Sequence, residues 1–234
     1  MGPCLSTPAP PAPTAYPDVE HSWNCPKPEL KPVDEQSDED VLKILRYLAP
    51  NIAKERESWR SEDISTWQGV GVSNGRVTAL EIDRCWIGSF PGQAHLGRLT
   101  ELTHFSCARN NLTDLPDSMA DCAKIAKCEC HANDFEKIPE ACYAWKNMYF
   151  FNISITKLGP DGVSPRVKEL ESVQLFALDV NPRLTKLPRE ILEMKSLNNL
   201  ICDATGMAEA PDFLAPLKER GCQMSFSYRA PEGE

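Results

Sequence analysis

Residues 102–116 read LTHFSCARNNLTDLP. Numbered from Leu102 as position 1, apolar residues fall at positions 1, 4, 6, 11 and 14 (Leu102, Phe105, Cys107, Leu112, Leu115), Asn110 stands at position 9 and Pro116 closes the unit. The same grammar restarts at Ile125, with Cys128, Cys130, Asn133, Phe135, Ile138 and Pro139. It restarts at Val173 with Phe176, Leu178 and Asn181, then, after one extra residue, Leu184, Leu187 and Pro188. Val77 begins an upstream copy (Leu80, Ile82, Cys85, Ile87, Phe90, Pro91) and Leu197 a downstream one (Leu200, Cys202, Thr205, Met207, Ala210, Pro211). Met148 begins a degraded copy with Phe151, Ile153, Thr156 and Leu158. Successive starts are 25, 23, 23, 25 and 24 residues apart. Positions 4 and 6 alternate with position 5, the pattern of a half-buried strand. One such unit cannot bury its own apolar edge, so neighbours must stack.

This pattern resembles the leucine-rich-repeat family, whose period is 20–29 residues, over roughly residues 77–215. The resemblance implies an α/β solenoid: a horseshoe of about six repeats with short parallel strands on its concave face. Asn110, Asn133 and Asn181 are expected to turn inward and bond to backbone groups of adjacent turns, because buried amides persist only when paired. The stretch STWQGVGVSNGRVTALEI (65–82) resembles the amino-terminal cap and first strand of plant-type members at Trp67, Gly69, Val70, Gly75, Arg76, Val77 and Thr78. The cysteines that flank this tryptophan in extracellular members are replaced by Gly71 and Val72.

Around this unit the domains are drawn as a proline-rich extended or disordered tail (1–37), a helical cap (38–76), the repeats (77–215) and a closing cap and tail (216–234). In the tail, MGPCLS fits a myristoylation pattern at Gly2 and Ser6, with Cys4 as a second acylation point. In the cap, Val41, Leu42, Ile44, Leu45 and Leu48 form an apolar stripe, Asp38 is a candidate N-cap and Pro50 a break. The segment from Gly159 to Glu169 reads as a loop. Cys222, Met224, Phe226 and Tyr228 alternate as a last strand.

The net charge of −9 argues against a nucleic-acid backbone as partner. No apolar run is long enough to span a membrane, and the start lacks the pattern of a secretory signal. Of ten cysteines, Cys107, Cys128, Cys130 and Cys202 take core positions, where a reduced thiol acts as a small hydrophobe. That reading implies a reducing compartment. Cys128-Glu129-Cys130-His131 has the residue types of a metal site, but on a strand Glu129 and His131 point away from the cysteines, so neither metal nor cofactor is expected. No phosphate loop, dinucleotide glycine signature or nucleophile elbow is present, and the chain reads as non-catalytic.

The register also assigns the concave face. Positions 3, 5, 7 and 8 project from it. In the first three repeats they carry Glu81, Asp83, Arg84, His104, Arg109, Lys127, Glu129 and His131; in the last three, Phe150, Ile155, Leu175, Ala177, Val180 and Ile201. A contiguous exposed apolar patch marks a contact surface. The expected partner is a protein, docked on Phe150, Ile155, Leu175, Val180 and Ile201, with Lys127, Glu129, His131 and Arg109 as the charged rim. From thiols and the missing signal, the sequence favours an intracellular, cytoplasmic scaffold or adaptor subunit of a larger complex. Its alternative is an extracellular or lipid-tethered ligand-recognition module, to which the sequons at Asn111 and Asn152 belong.

Overall fold

The computed structural model describes residues 15–227. The acylation motif at Gly2, Cys4 and Ser6, and Tyr228, lie outside the described residues. Eight strands form one sheet in chain order: β1 Val70–Ser73, β2 Arg76–Glu81, β3 His104–Ser106, β4 Lys127–Glu129, β5 Phe150–Asn152, β6 Leu175–Ala177, β7 Asn199–Ile201 and β8 Gln223–Ser225. β1 and β2 are antiparallel; every later pairing is parallel. The columns read from the sequence are rows of the sheet. Ala79, His104, Lys127, Phe150, Leu175 and Asn199 are successive partners, and so are Leu80, Phe105, Cys128, Phe151, Phe176 and Leu200. The chain is thus a curved, parallel-sheet solenoid of leucine-rich-repeat type.

The second of these rows, with position 6, is fully buried and forms the core. Phe151 and Phe176 stack with centroids 5.4 Å apart, and Trp145 meets the Phe105 ring edge-on at 6.3 Å. Each return segment is a 3-10 turn entered through proline: Pro91, Pro116, Pro139, Pro188 and Pro211 sit just before one, and Pro165 opens Pro165–Glu169. Proline is favoured there because its fixed φ suits the first turn and its missing N–H is not needed. Within the stretch read as a loop, Val163 and Val167 are buried.

The asparagines bind one turn to the next. Asn133 Oδ1 accepts from Asn110 N (3.0 Å) and Leu112 N (2.9 Å), while its Nδ2 donates to the carbonyls of Cys107 (3.0 Å) and Cys130 (2.9 Å). Asn110 and Asn181 repeat the arrangement toward Cys85 and Thr156.

The cap contains α1 (Asp38–Leu48) and α2 (Asn51–Glu55), parted at Pro50. The N-cap of α1 is Ser37, not Asp38: Ser37 and Asp40 form a reciprocal capping box. Asp38 is instead buried and accepts from Val77 N (2.7 Å) and Arg76 Nε (3.1 Å to each oxygen), joining the helix to β2. Arg46 is also buried. Its guanidinium lies 5.0 Å from the Trp67 ring and 5.4 Å from Trp23, and donates to the carbonyls of Trp59 and Ser61. Tyr16, within the stretch read as an extended or disordered tail, is buried, and Val19, Trp23 and Cys25 pack on the core. At the far end α3 (Ala215–Glu219) precedes β8.

Candidate recognition face

Strand alternation sends positions 4 and 6 inward and leaves positions 3 and 5 on the opposite face. Phe150, Leu175 and Ile201 are half-buried there on three adjacent strands. Lys127 is held on both sides: Nζ is 2.5 Å from Glu129 Oε1 and 5.5 Å from the Phe150 centroid. The bond to Glu129 raises the Lys127 ammonium above its ordinary value. His131 is half-buried, with Nδ1 lacking a hydrogen-bond partner among the described residues, and Arg109 is exposed. Ala177, expected on the exposed patch, is only 4% exposed: its short side chain lies below the level of its neighbours. Three aspartates at position 7 tie neighbouring turns. Asp83 accepts from Ser106 Oγ and Ala108 N, Asp179 from Ser154 Oγ, and Asp203 from Ser225 Oγ and Ser227 N. The hydrogen bond from Ser225 holds the Asp203 carboxyl below its usual range.

Position 8 is where the strand ends and the chain turns inward. Arg84, Arg109, Ala132, Ile155, Val180 and Ala204 all have left-handed φ, between 52° and 60°. Each N–H donates to a carbonyl of the next turn, Ile155 to Asp179 O and Val180 to Asp203 O, which fixes the conformation. For arginine or alanine this costs about 1–2 kcal/mol. For a β-branched residue it is a true outlier, with strain of order 1–3 kcal/mol. Both β-branched members are also exposed, Ile155 at 45% and Val180 at 43%. Packing does not explain them. The double change Ile155→Gly, Val180→Gly is therefore expected to raise the unfolding free energy by about 1 kcal/mol per site after the glycine entropy cost while weakening association through this face. Denaturant unfolding checks the first half; a lower midpoint would show the turns to be unstrained.

Two aromatic residues were not singled out from the sequence. Trp86 is 64% exposed and itself left-handed (φ 51°), and Tyr149 is exposed beside β5. The signal for Trp86 was available: a tryptophan standing between two apolar repeat positions. It borders a cleft of 580 Å³ lined by Glu55, Arg84, Arg109, Asn111 and Ala132.

Among the described residues no group of His, Cys, Asp and Glu could hold a metal ion, and no helix is long and apolar enough to cross a membrane. The nine described cysteines are free; all but Cys25 are buried. Burial pushes the Cys122 thiol up to about 12 and Cys130 to about 11, and drives Cys107, Cys128 and Cys142 well upward. A thiol that does not ionise is inert. In the unfolded chain these thiols ionise near their ordinary value, so the unfolded state loses protons first. Stability is then full below about pH 9 and falls as pH climbs toward 11–12. Denaturation midpoints across that window check the sign; a midpoint that rises with pH would contradict it.

No protein-family model matches the chain. It is 28% identical over 190 residues to the receptor-like kinase TMK2 of Arabidopsis thaliana, an alignment covering 73% of this chain. The chain spans 20% of that kinase's length. Among solved structures it is similar to the plant peptide hormone receptor RGFR1 in complex with RGF2 (TM-score 0.56, 21% identity, 68% of this chain and 29% of that one). It is also similar to the leucine-rich-repeat ectodomain of the receptor kinase SOBIR1 from Arabidopsis thaliana (TM-score 0.53, 20% identity, 70% and 89%). The fold is that of leucine-rich-repeat proteins.

These likenesses overturn the expectation of an intracellular scaffold subunit in the cytoplasm, since the matching structures are a receptor ectodomain and a hormone receptor with its ligand. The physical reason lies in the cysteines. Core thiols do not by themselves require reducing surroundings, because burial shields them.

Proposed function

We propose that this chain is an extracellular or lipid-tethered ligand-recognition module that binds a protein or peptide along its concave face. Phe150, Ile155, Leu175, Val180 and Ile201 form the apolar contact, and Lys127, Glu129, His131 and Arg109 the charged rim. Six repeats from Val77 carry the surface, and residues 38–76 act as a cap of plant-type character over their open end. One observation carries the reading: five apolar side chains lie partly exposed on three adjacent strands and the turns that follow β5 and β6, two of them held in left-handed backbone that β-branched residues avoid. Exposed apolar surface and unexplained strain both concentrate at contact sites. The complex of RGFR1 with RGF2 supplies the analogy for ligand class, not the ligand.

The double variant Phe150→Asp, Leu175→Asp tests it. Both side chains are half-buried on the outer face, so the variant should fold with a near-parental melting profile, while association through the face weakens by more than about 100-fold, as loss of two central anchors does. Unchanged association with a folded variant would overturn the proposal.

A further inference from the structure

A second concavity lies away from the strands, where the segment ahead of α1 meets the first return segment. It holds 740 Å³, with Leu30, Pro32 and Val33 on the first of these segments and His95 on the second; Tyr16 and Gln36 also line it. The two segments are clasped together. Arg98, at the end of the turn Leu96–Arg98, donates from Nη2 to the carbonyls of Asp34 (3.0 Å) and Gln36 (3.2 Å). Leu30 and Val33 are apolar yet exposed. Tyr16 and Gln36 are the reverse, polar side chains only 5% and 4% exposed. Among the described residues, Tyr16 Oη and Gln36 Oε1 have no hydrogen-bond partner. The Gln36 amide is not free to turn over, because its Nε2 donates to Lys31 O (3.2 Å) and a flip would set oxygen against oxygen. Oε1 is therefore a fixed, buried acceptor, a group that folded chains rarely leave unmatched. Burial and the Asp40 carboxylate raise the Tyr16 hydroxyl above its ordinary value, so it keeps its proton and can donate. The lining is electrically quiet. The Lys31 ammonium is 2.8 Å from Asp40 Oδ1, and burial lowers the His95 imidazole below its ordinary value.

We infer that this pocket binds a neutral, largely apolar small molecule that carries a hydroxyl group. The hydroxyl donates to Gln36 Oε1 and accepts from Tyr16 Oη, while the hydrocarbon body lies against Leu30, Pro32 and Val33. The volume falls within the range of about 300–1,000 Å³ typical of small-molecule sites, which combine an apolar lining with a few placed polar groups. A hydroxyl suits both unmatched atoms because it donates and accepts at once. A carboxylate would bring two acceptors to an acceptor, and the only ammonium in the lining is already paired with Asp40. A peptide would bring a backbone donor and acceptor for each residue it buries, against two unmatched groups in the lining. The pocket is formed by a return segment and the chain ahead of α1, so it is separate from the concave face and independent of the ligand proposed there.

The test titrates 2-naphthol, naphthalene and 2-naphthoate into the full chain and follows methyl and side-chain amide resonances. 2-Naphthol should shift the Leu30 and Val33 methyls and the Gln36 amide saturably. It should bind more than about tenfold more tightly than naphthalene, which lacks the hydroxyl, and than 2-naphthoate, which is charged. Tyr16→Phe removes a hydroxyl that bonds nothing in the free chain, so it should melt like the parent while the advantage of 2-naphthol over naphthalene shrinks. Val33→Trp, at an exposed position, should fill the pocket and abolish binding in a folded chain. Absence of saturable shifts up to the solubility limit of 2-naphthol would overturn the inference. So would equal affinity for 2-naphthol and naphthalene, or binding that survives Val33→Trp. A Tyr16→Phe chain that melts well below the parent would show the hydroxyl to be bonded already, and would count against it. Tighter binding of 2-naphthoate would replace the neutral ligand with an anion. A synthetic peptide of residues 1–14 that shifts the same groups and excludes 2-naphthol would replace the small molecule with that segment of this chain.

Discussion

Asn133→Ala lowers the unfolding free energy by about 3 kcal/mol or more, at roughly 1–3 kcal/mol for each buried polar group left unpaired. The truncation orphans three, the amides of Asn110 and Leu112 and the carbonyl of Cys130, while the Cys107 carbonyl keeps its bond from Asn110 Nδ2. Since small domains carry only about 5–15 kcal/mol in all, this one change removes a large share. Asn133→Asp should fare no better, because a carboxylate keeps the acceptor but points an anion at two carbonyls. The same logic ranks the other turns. At position 9 of the Met148 copy Thr156 gives its hydroxyl to Ile153 O, and Thr205 to Cys202 O, so each satisfies fewer neighbours than an asparagine. Chemical denaturation of Asn133→Ala, Thr156→Ala and Thr205→Ala reads the order. A loss under about 1 kcal/mol for Asn133→Ala would show that the ladder does not hold the turns together.

Asp38→Ala should cost about 2–3 kcal/mol, set chiefly by the buried Val77 amide it leaves without an acceptor. The Arg76 partner adds less, since that side chain is 43% exposed and water screens it. The more telling outcome is where the loss appears. Asp38 is the bond between α1 and the first parallel strand of the solenoid, so amide exchange should rise across residues 38–48 and at Val77 while the amides of β4 to β7 stay protected. Uniform acceleration across the whole chain would mean that cap and solenoid unfold as one unit. Ser37→Ala is the control: it removes a helix cap worth about 1 kcal/mol but leaves that joint intact.

Asp38 also shows where sequence reading stops. An aspartate ahead of an apolar stripe is a reasonable N-cap, but Ser37 with an acid three residues on, Asp40, carries the stronger local signal. Its true partner is 39 residues away. The repeat register, by contrast, was legible, because each row of the sheet repeats a column of the sequence and six copies average out local noise. The inward asparagines were legible for the same reason. The left-handed backbone of position 8 was not, since Ile155 and Val180 are residue types that avoid that conformation. The turn imposes it through hydrogen bonds from the next turn, which no local propensity records. A hairpin between β1 and β2 was available in Asn74-Gly75, whose φ values of 49° and 73° are those of a tight turn. Prolines concealed Tyr16 and Trp23, whose rings anchor a stretch that composition alone marks as loose.

The hairpin carries a consequence for how such a rod can change its length. A parallel sheet can be extended by repeating the unit that made it, but only where the outermost strand runs the same way as the rest. β1 runs against β2, so the sheet has a polarity: a duplicated repeat inserted before β2 would have to displace the antiparallel strand and break the Asp38 joint. Insertion between later turns asks only that one asparagine-bonded turn follow another. Lengthening this solenoid by a copy of residues 102–124 should therefore be tolerated between β3 and β4 and refused between β1 and β2, giving the molecule one growing direction and one fixed end.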